Sequence, residues 1–173
     1  MSNLKVPPFD LLTHQASPYT GFGDVLTPSL ERDGVLLAAA DRARERVEEG
    51  FRQMLGEPTS IPSQLDEIIS VMWAQGWNPD AANINLFSTD FGLLLTKVSL
   101  SLVGGSLVFR SETDISHLSL WWAHKEVEAF PFHKILKRLY SREGESIAFF
   151  VAGLSRRITG ACAKKLGKGG KRT

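Results

Sequence analysis

Residues 78–110 read NPDAANINLFSTDFGLLLTKVSLSLVGGSLVFR, and the reading of this stretch decides the fold. It opens with a helix start: Asn78 can cap, Pro79 suits a first helical position, and Asp80 favours the positive end of a helix. Ile84, Phe87, Phe91, Leu94, Leu95, Val98 and Leu102 then recur at three- and four-residue steps, and Leu86, Leu93 and Leu100 widen the apolar face. A helix apolar on so many sides must be covered on most of them, which predicts a central helix. Gly92 inside it costs about 1 kcal/mol of helix propensity relative to Ala, and is read as a close contact with another backbone. Gly104-Gly105 ends the helix. The apolar period then falls to two, with Leu107 and Phe109 alternating with Val108 and Arg110.

Downstream, the strand pattern returns in Leu118, Leu120 and Trp122, which alternate with Ser119, Trp121 and Ala123; Glu112-Thr113-Asp114 supplies turn chemistry between the two runs. A short third strand is expected over Glu126–Phe130. Phe130-Pro131-Phe132 leads into a short helix with Ile135, Leu136 and Leu139, and Ile147, Phe150, Val151, Leu154, Ile158 and Ala161 trace a last amphipathic helix. Upstream, Leu36, Ala40, Ala43, Val47, Phe51 and Met54 make one apolar stripe from Ser29 or Leu30 to Leu55, with Gly56 and Pro58 as the stop. A second helix is predicted from Ser63, with Asp66 and Glu67 in its first turn and Gly76 at its end. The fold class is α+β: helices packed around a long central helix, with an antiparallel sheet of two to three strands. The expected organisation is a loosely ordered segment over 1–30, one α+β domain over 31–166 and a basic disordered tail over 167–173.

Composition fits this. The chain is 43% hydrophobic and 23% charged over 173 residues, enough for one domain with a real core. Polar residues interrupt Leu86–Val103, so no membrane span is expected, and the N-terminus lacks the apolar run of a secretory signal; a cytoplasmic location follows as an expectation. The lone Cys162 allows no internal disulfide and reads as a small buried residue. Seven of the 20 basic residues lie at Arg156 or beyond and none of the 19 acids does, which leaves residues 1–154 with 13 bases and a net charge of −6. A nucleic-acid binder is expected to carry positive charge on its folded body, so nucleic acid is not the expected partner.

The motifs of catalysis are incomplete. His14, His117, His124 and His133 lack metal-ligand spacing, and no metal or other cofactor is expected. Gly153-Leu154-Ser155-Arg156-Arg157 lacks the closing glycine of a nucleophile elbow and lies in a helical pattern. Gly21-Phe22-Gly23 lacks the third glycine of a phosphate loop, and Gly167-Lys168-Gly169-Gly170-Lys171 lacks its spacing. No residue is assigned a catalytic role.

Two constellations remain. Asn83, Asp90 and Lys97 recur every seven residues and share one stripe of the central helix, either as a hydrogen-bonded seam or as a polar ligand groove. Trp121 and Trp122 are adjacent on one strand, so their rings point to opposite faces. One can be core. The other, taken as Trp121, would stand outside with Glu112, Asp114, Glu126 and Glu128 as an acidic rim, unless the N-terminal segment covers it.

With these residues in hand, a resemblance can be stated. Over roughly residues 35–158 the chain resembles a family of small bacterial proteins designated domain of unknown function 3806. The features shared are Asn85 and Phe91-Gly92-Leu93 on the long helix, the Gly104-Gly105 entry to a strand, the tryptophan hairpin, and Phe130-Pro131-Phe132 leading into Lys134, Lys137 and Arg138. The resemblance implies an α+β fold and brings no catalytic residues. The expected function is a non-enzymatic protein-binding module, in its concrete form an immunity or antitoxin-like inhibitor of a basic toxin or effector. The alternative is a small-molecule binding or hydrolytic domain using the Asn83, Asp90, Lys97 groove with His117 or His133.

Overall fold

The central helix, α3, spans Ala81–Val103 in the computed structural model, which describes residues 25–144 and 146–160. Ile84, Phe91, Leu93, Leu94, Leu95 and Val98 on it are buried, as are the polar Ser88, Asp90, Thr96 and Ser99. Thr96 satisfies its hydroxyl on the Gly92 carbonyl at 2.7 Å. By length and composition α3 is apolar enough to cross a bilayer, with a mean hydropathy of 1.4 over its best window, contrary to the sequence expectation. More than half of that window, 56%, is buried by the rest of the chain, the position of a core helix.

Around α3 pack α1 (Leu30–Phe51), α2 (Ile61–Ala74), α4 (Pro131–Tyr140) and α5 (Ile147–Thr159), with α1 and α4 making the most extensive contacts. Asp41 and Arg46 of α1 pair with Lys97 and Asp90 of α3 respectively, so the two helices run antiparallel. The main core joins Leu36, Ala40, Ala43 and Val47 of α1, Leu65, Ile68 and Ile69 of α2, Phe91 and Leu95 of α3, and Ile135 and Leu139 of α4. The sheet is β1 (Ser106–Val108), β2 (Ser119–Trp122) and β3 (Val127–Ala129), antiparallel and in sequence order. Leu120, Trp122 and Ala129 of the sheet form a second cluster with Leu154 and Ile158 of α5.

Several boundaries differ from the sequence reading, each for a local reason. Helix α1 stops at Phe51 because Arg52 takes a left-handed conformation, φ 50°, and its amide bonds back to the Glu48 and Glu49 carbonyls; Leu55 lies beyond the helix. Helix α2 begins at Ile61, ahead of Ser63, because Pro62 fits the first turn. In α3 the cap is Asp80, which accepts from the Asn83 amide at 2.8 Å, so Asn78 and Pro79 precede the helix. The connection from β1 to β2 is longer than a tight turn and holds a 3₁₀ turn at Ile115–His117; a second, Ala123–Lys125, joins β2 to β3 and closes on Glu126 at φ 51°. The expected lead-in lies almost wholly, and the expected tail wholly, outside the described residues, as do His14 and Cys162. Of the former, residues 25–30 are described: Leu30 already belongs to α1, and the Leu26 amide bonds to the Phe109 carbonyl at 2.8 Å.

Candidate functional site

The register separates the two tryptophans. Leu120 pairs with Leu107 and Ala129, and Trp122 with Val127; these side chains form the inner face against α3 and α5. Trp122 is 2% exposed, its indole N–H donates to the Val103 carbonyl at 3.0 Å, and its ring lies against Gly105, whose φ of 106° and missing Cβ leave room for it. Trp121, paired with Ser106 and Glu128, points to the outer face and is half-buried.

A fixed polar network holds that outer face. Arg110 donates to the Ser119 hydroxyl at 2.9 Å and to the Glu128 carboxylate at 2.6 Å, and Ser119 donates to the same carboxylate oxygen. Ser119 has no exposed surface, and the Arg110 and Glu128 side chains are mostly buried. The Arg110 guanidinium also sits 5.8 Å from the centre of the Phe130 ring. Phe130 stacks on His133 of α4 at 5.4 Å, and His133 meets His117 edge-on at 6.3 Å. Burial pushes the His117 pKa below its ordinary value and Arg110 adds to this, against the opposing pull of Asp114. The sequence reading offered His117 or His133 to the α3 groove, whereas the structure sets both histidines at the Phe130 corner. Ser119 was not singled out from the sequence, although period two puts it on the Trp121 face.

The four acids do not form a rim. Glu112 is exposed but tied to Arg32 of α1 at 2.9 Å. Asp114 caps the first 3₁₀ turn, accepting from the Ser116 amide and hydroxyl at 2.8 and 2.6 Å. Glu128 is held in the Arg110 network, and Glu126 is exposed at the tip between β2 and β3, with no ion pair among the described residues.

The stripe on α3 faces α1. Asp90 is 7% exposed and takes a two-point contact from Arg46, at 3.1 and 2.6 Å, which holds Arg46 more firmly in its charged form. Lys97 pairs with Asp41, and Asn83 bonds to Asp80 of its own helix cap at 3.1 Å. The structure thus brings Asp90 and Lys97 into one interhelical seam and leaves Asn83 at the helix start.

A shallow cleft of ≈ 250 Å³ lies elsewhere, between the start of α1 and the loop after β1, lined by Ser29, Arg32, Val35, Phe109, Ser111 and Ile115 among others. Arg32 lies over the Phe109 ring at 5.2 Å and closes one side of it. Among the described residues no group of three or more His, Cys, Asp or Glu side chains is placed to hold a metal ion.

Comparison with protein-family models, with curated proteins and with solved structures finds no match to this chain, so the likeness stated above rests on the residues quoted for it.

Proposed function

We propose that this chain is a protein-binding module and that its partner docks on the outer face of the sheet around Trp121. The observation that carries the reading is the half-buried Trp121 ring on a face whose other polar groups are already fixed. Tryptophan is the residue type most enriched among those that dominate interface energy. Here it stands on a rigid sheet, so little ordering entropy is lost on binding. Glu126, exposed at the tip between β2 and β3, offers a carboxylate to a cationic partner. An immunity or antitoxin-like role, covering the basic site of a toxin or effector, is the form of this reading that uses both the ring and that carboxylate. The alternative, a small-molecule or hydrolytic site on the α3 stripe, requires the Arg46–Asp90 and Asp41–Lys97 pairs to open first.

The test needs the partner in pure form. A partner cross-linked through a photoreactive group at position 106, the exposed residue paired with Trp121, is identified, purified and titrated against the variants. Trp121→Ala is expected to weaken binding by about 2 kcal/mol or more, with Trp121→Phe retaining part of it. Affinity unchanged by Trp121→Ala refutes the assignment of this face.

A further inference from the structure

The cleft between the start of α1 and the loop after β1 sets two opposite charges beside an apolar wall. Its volume is ≈ 250 Å³. Val35, Phe109 and Ile115 supply the wall, and Val35 is left 38% exposed. The Arg32 guanidinium meets the Glu112 carboxylate there at a single point, Nη2 to Oε1 at 2.9 Å. Glu31 also lines the cleft and forms no ion pair among the described residues.

Arg32 is held independently of Glu112. Its Nη1 donates to the Thr27 carbonyl at 3.1 Å, and its guanidinium lies 5.2 Å from the centre of the Phe109 ring. A guanidinium carries five N–H donors. Among the described residues Thr27 and Glu112 take one each, which leaves the Nε proton and one proton on each terminal nitrogen. Glu112 is 69% exposed, and its second oxygen, Oε2, has no hydrogen bond or ion pair among the described residues. The Ser29 hydroxyl accepts from the Arg32 amide at 3.2 Å and keeps its own proton to donate. The pair is therefore fixed in place but half used at both ends.

We propose that this cleft binds a free α-amino acid with a branched aliphatic side chain, at a site separate from the Trp121 face. An α-amino acid carries its ammonium and its carboxylate on one carbon, as closely spaced as the two groups of the Arg32–Glu112 pair. It can lie head to tail across that pair without opening it. The ligand carboxylate takes the spare Arg32 protons and the Ser29 hydroxyl, and the ammonium takes Glu112 Oε2 and Glu31. Hydrogen bonds between charged groups are the stronger kind, and each end of the ligand meets the opposite sign. The aliphatic side chain then covers the open surface of Val35 and the wall behind it. A plain carboxylic acid would set its charge among two carboxylates for one guanidinium, and a plain amine would leave the Arg32 donors unused, so the cleft selects against both.

The experiment uses the full chain, with its valine and isoleucine methyl groups isotopically labelled, and L-leucine as the probe, followed by NMR. Saturable shifts of the Val35 and Ile115 methyl signals are expected, with a Kd on the order of 1 mM. Isovalerate and isopentylamine, which each lack one charged end, are expected to bind about tenfold more weakly or worse. Arg32→Gln and Glu112→Gln are each expected to weaken leucine binding by about fivefold or more. Glu112→Gln changes an exposed side chain, so its result does not depend on how Arg32→Gln folds. Three results overturn the proposal: no saturable shift of those methyl signals up to about 20 mM leucine, binding of either truncated probe as tight as that of leucine, or an affinity for leucine unchanged by either substitution.

Discussion

At the scale of single residues, Gly92 shows how tightly the centre is built. A Cβ there would meet the Phe132 ring at 2.4 Å, and Phe132 is 2% exposed. Gly92→Ala gains about 1 kcal/mol of helix propensity. The overpacking outweighs it, and a net loss of about 2 kcal/mol is expected in urea unfolding. Stability equal to the parent protein would mean that Phe132 moves aside. The sequence signalled a close approach at this glycine but assigned it to another backbone. The true neighbour is a side chain far along the chain, and no local pattern reports such a pairing. The tryptophans teach the same lesson in part. Period two dictates that Trp121 and Trp122 point apart, but which of them is core depends on which face α3 and α5 cover, a tertiary fact.

At the scale of elements, the helices and strands were legible because their apolar periods are strong, whereas their ends answer to caps. Residue 66 illustrates what local reading misses. Asp66 was read as a favourable acid at the start of its own helix. In the fold it caps another: its carboxylate accepts from the Ile147 and Ala148 amides at 2.9 and 3.0 Å and from the Ser146 hydroxyl at 2.7 Å. It also accepts from Arg138 Nε at 3.2 Å, and Arg138 in turn donates to Ser70 and to the Ser141 and Arg142 carbonyls. One carboxylate thus ties α2, α4 and α5 together and satisfies the open amides at the start of α5. Asp66→Ala leaves the buried Arg138 charge without its counterion and is expected to cost about 3 kcal/mol. Hydrogen exchange should show faster opening over residues 147–158 than over α1. Equal protection of α5 in the variant would contradict the capping role.

At the scale of the whole molecule, the sheet acts as a divider. Its inner face completes the core with α5, and its outer face carries Trp121 over a polar network that is already satisfied. The acidic rim expected from the sequence dissolved because spacing shows only that Glu112, Asp114, Glu126 and Glu128 are neighbours in the chain; it cannot show that helix, turn and strand each claim one of them. The α3 stripe was legible as a stripe, and its two ion pairs to α1 became visible only with the packing. The division of labour between the tryptophans can be measured on the protein alone, by urea unfolding of Trp121→Ala beside Trp122→Ala with slopes compared as well as midpoints. Removing the buried Trp122 is expected to cost about 3–5 kcal/mol. Removing Trp121 is expected to cost less than half as much, because its ring lies on the outer face, half-buried and outside both core clusters. A loss from Trp121→Ala as large as that from Trp122→Ala would mean that the chain uses both rings for its own stability and that the outer face is no docking surface.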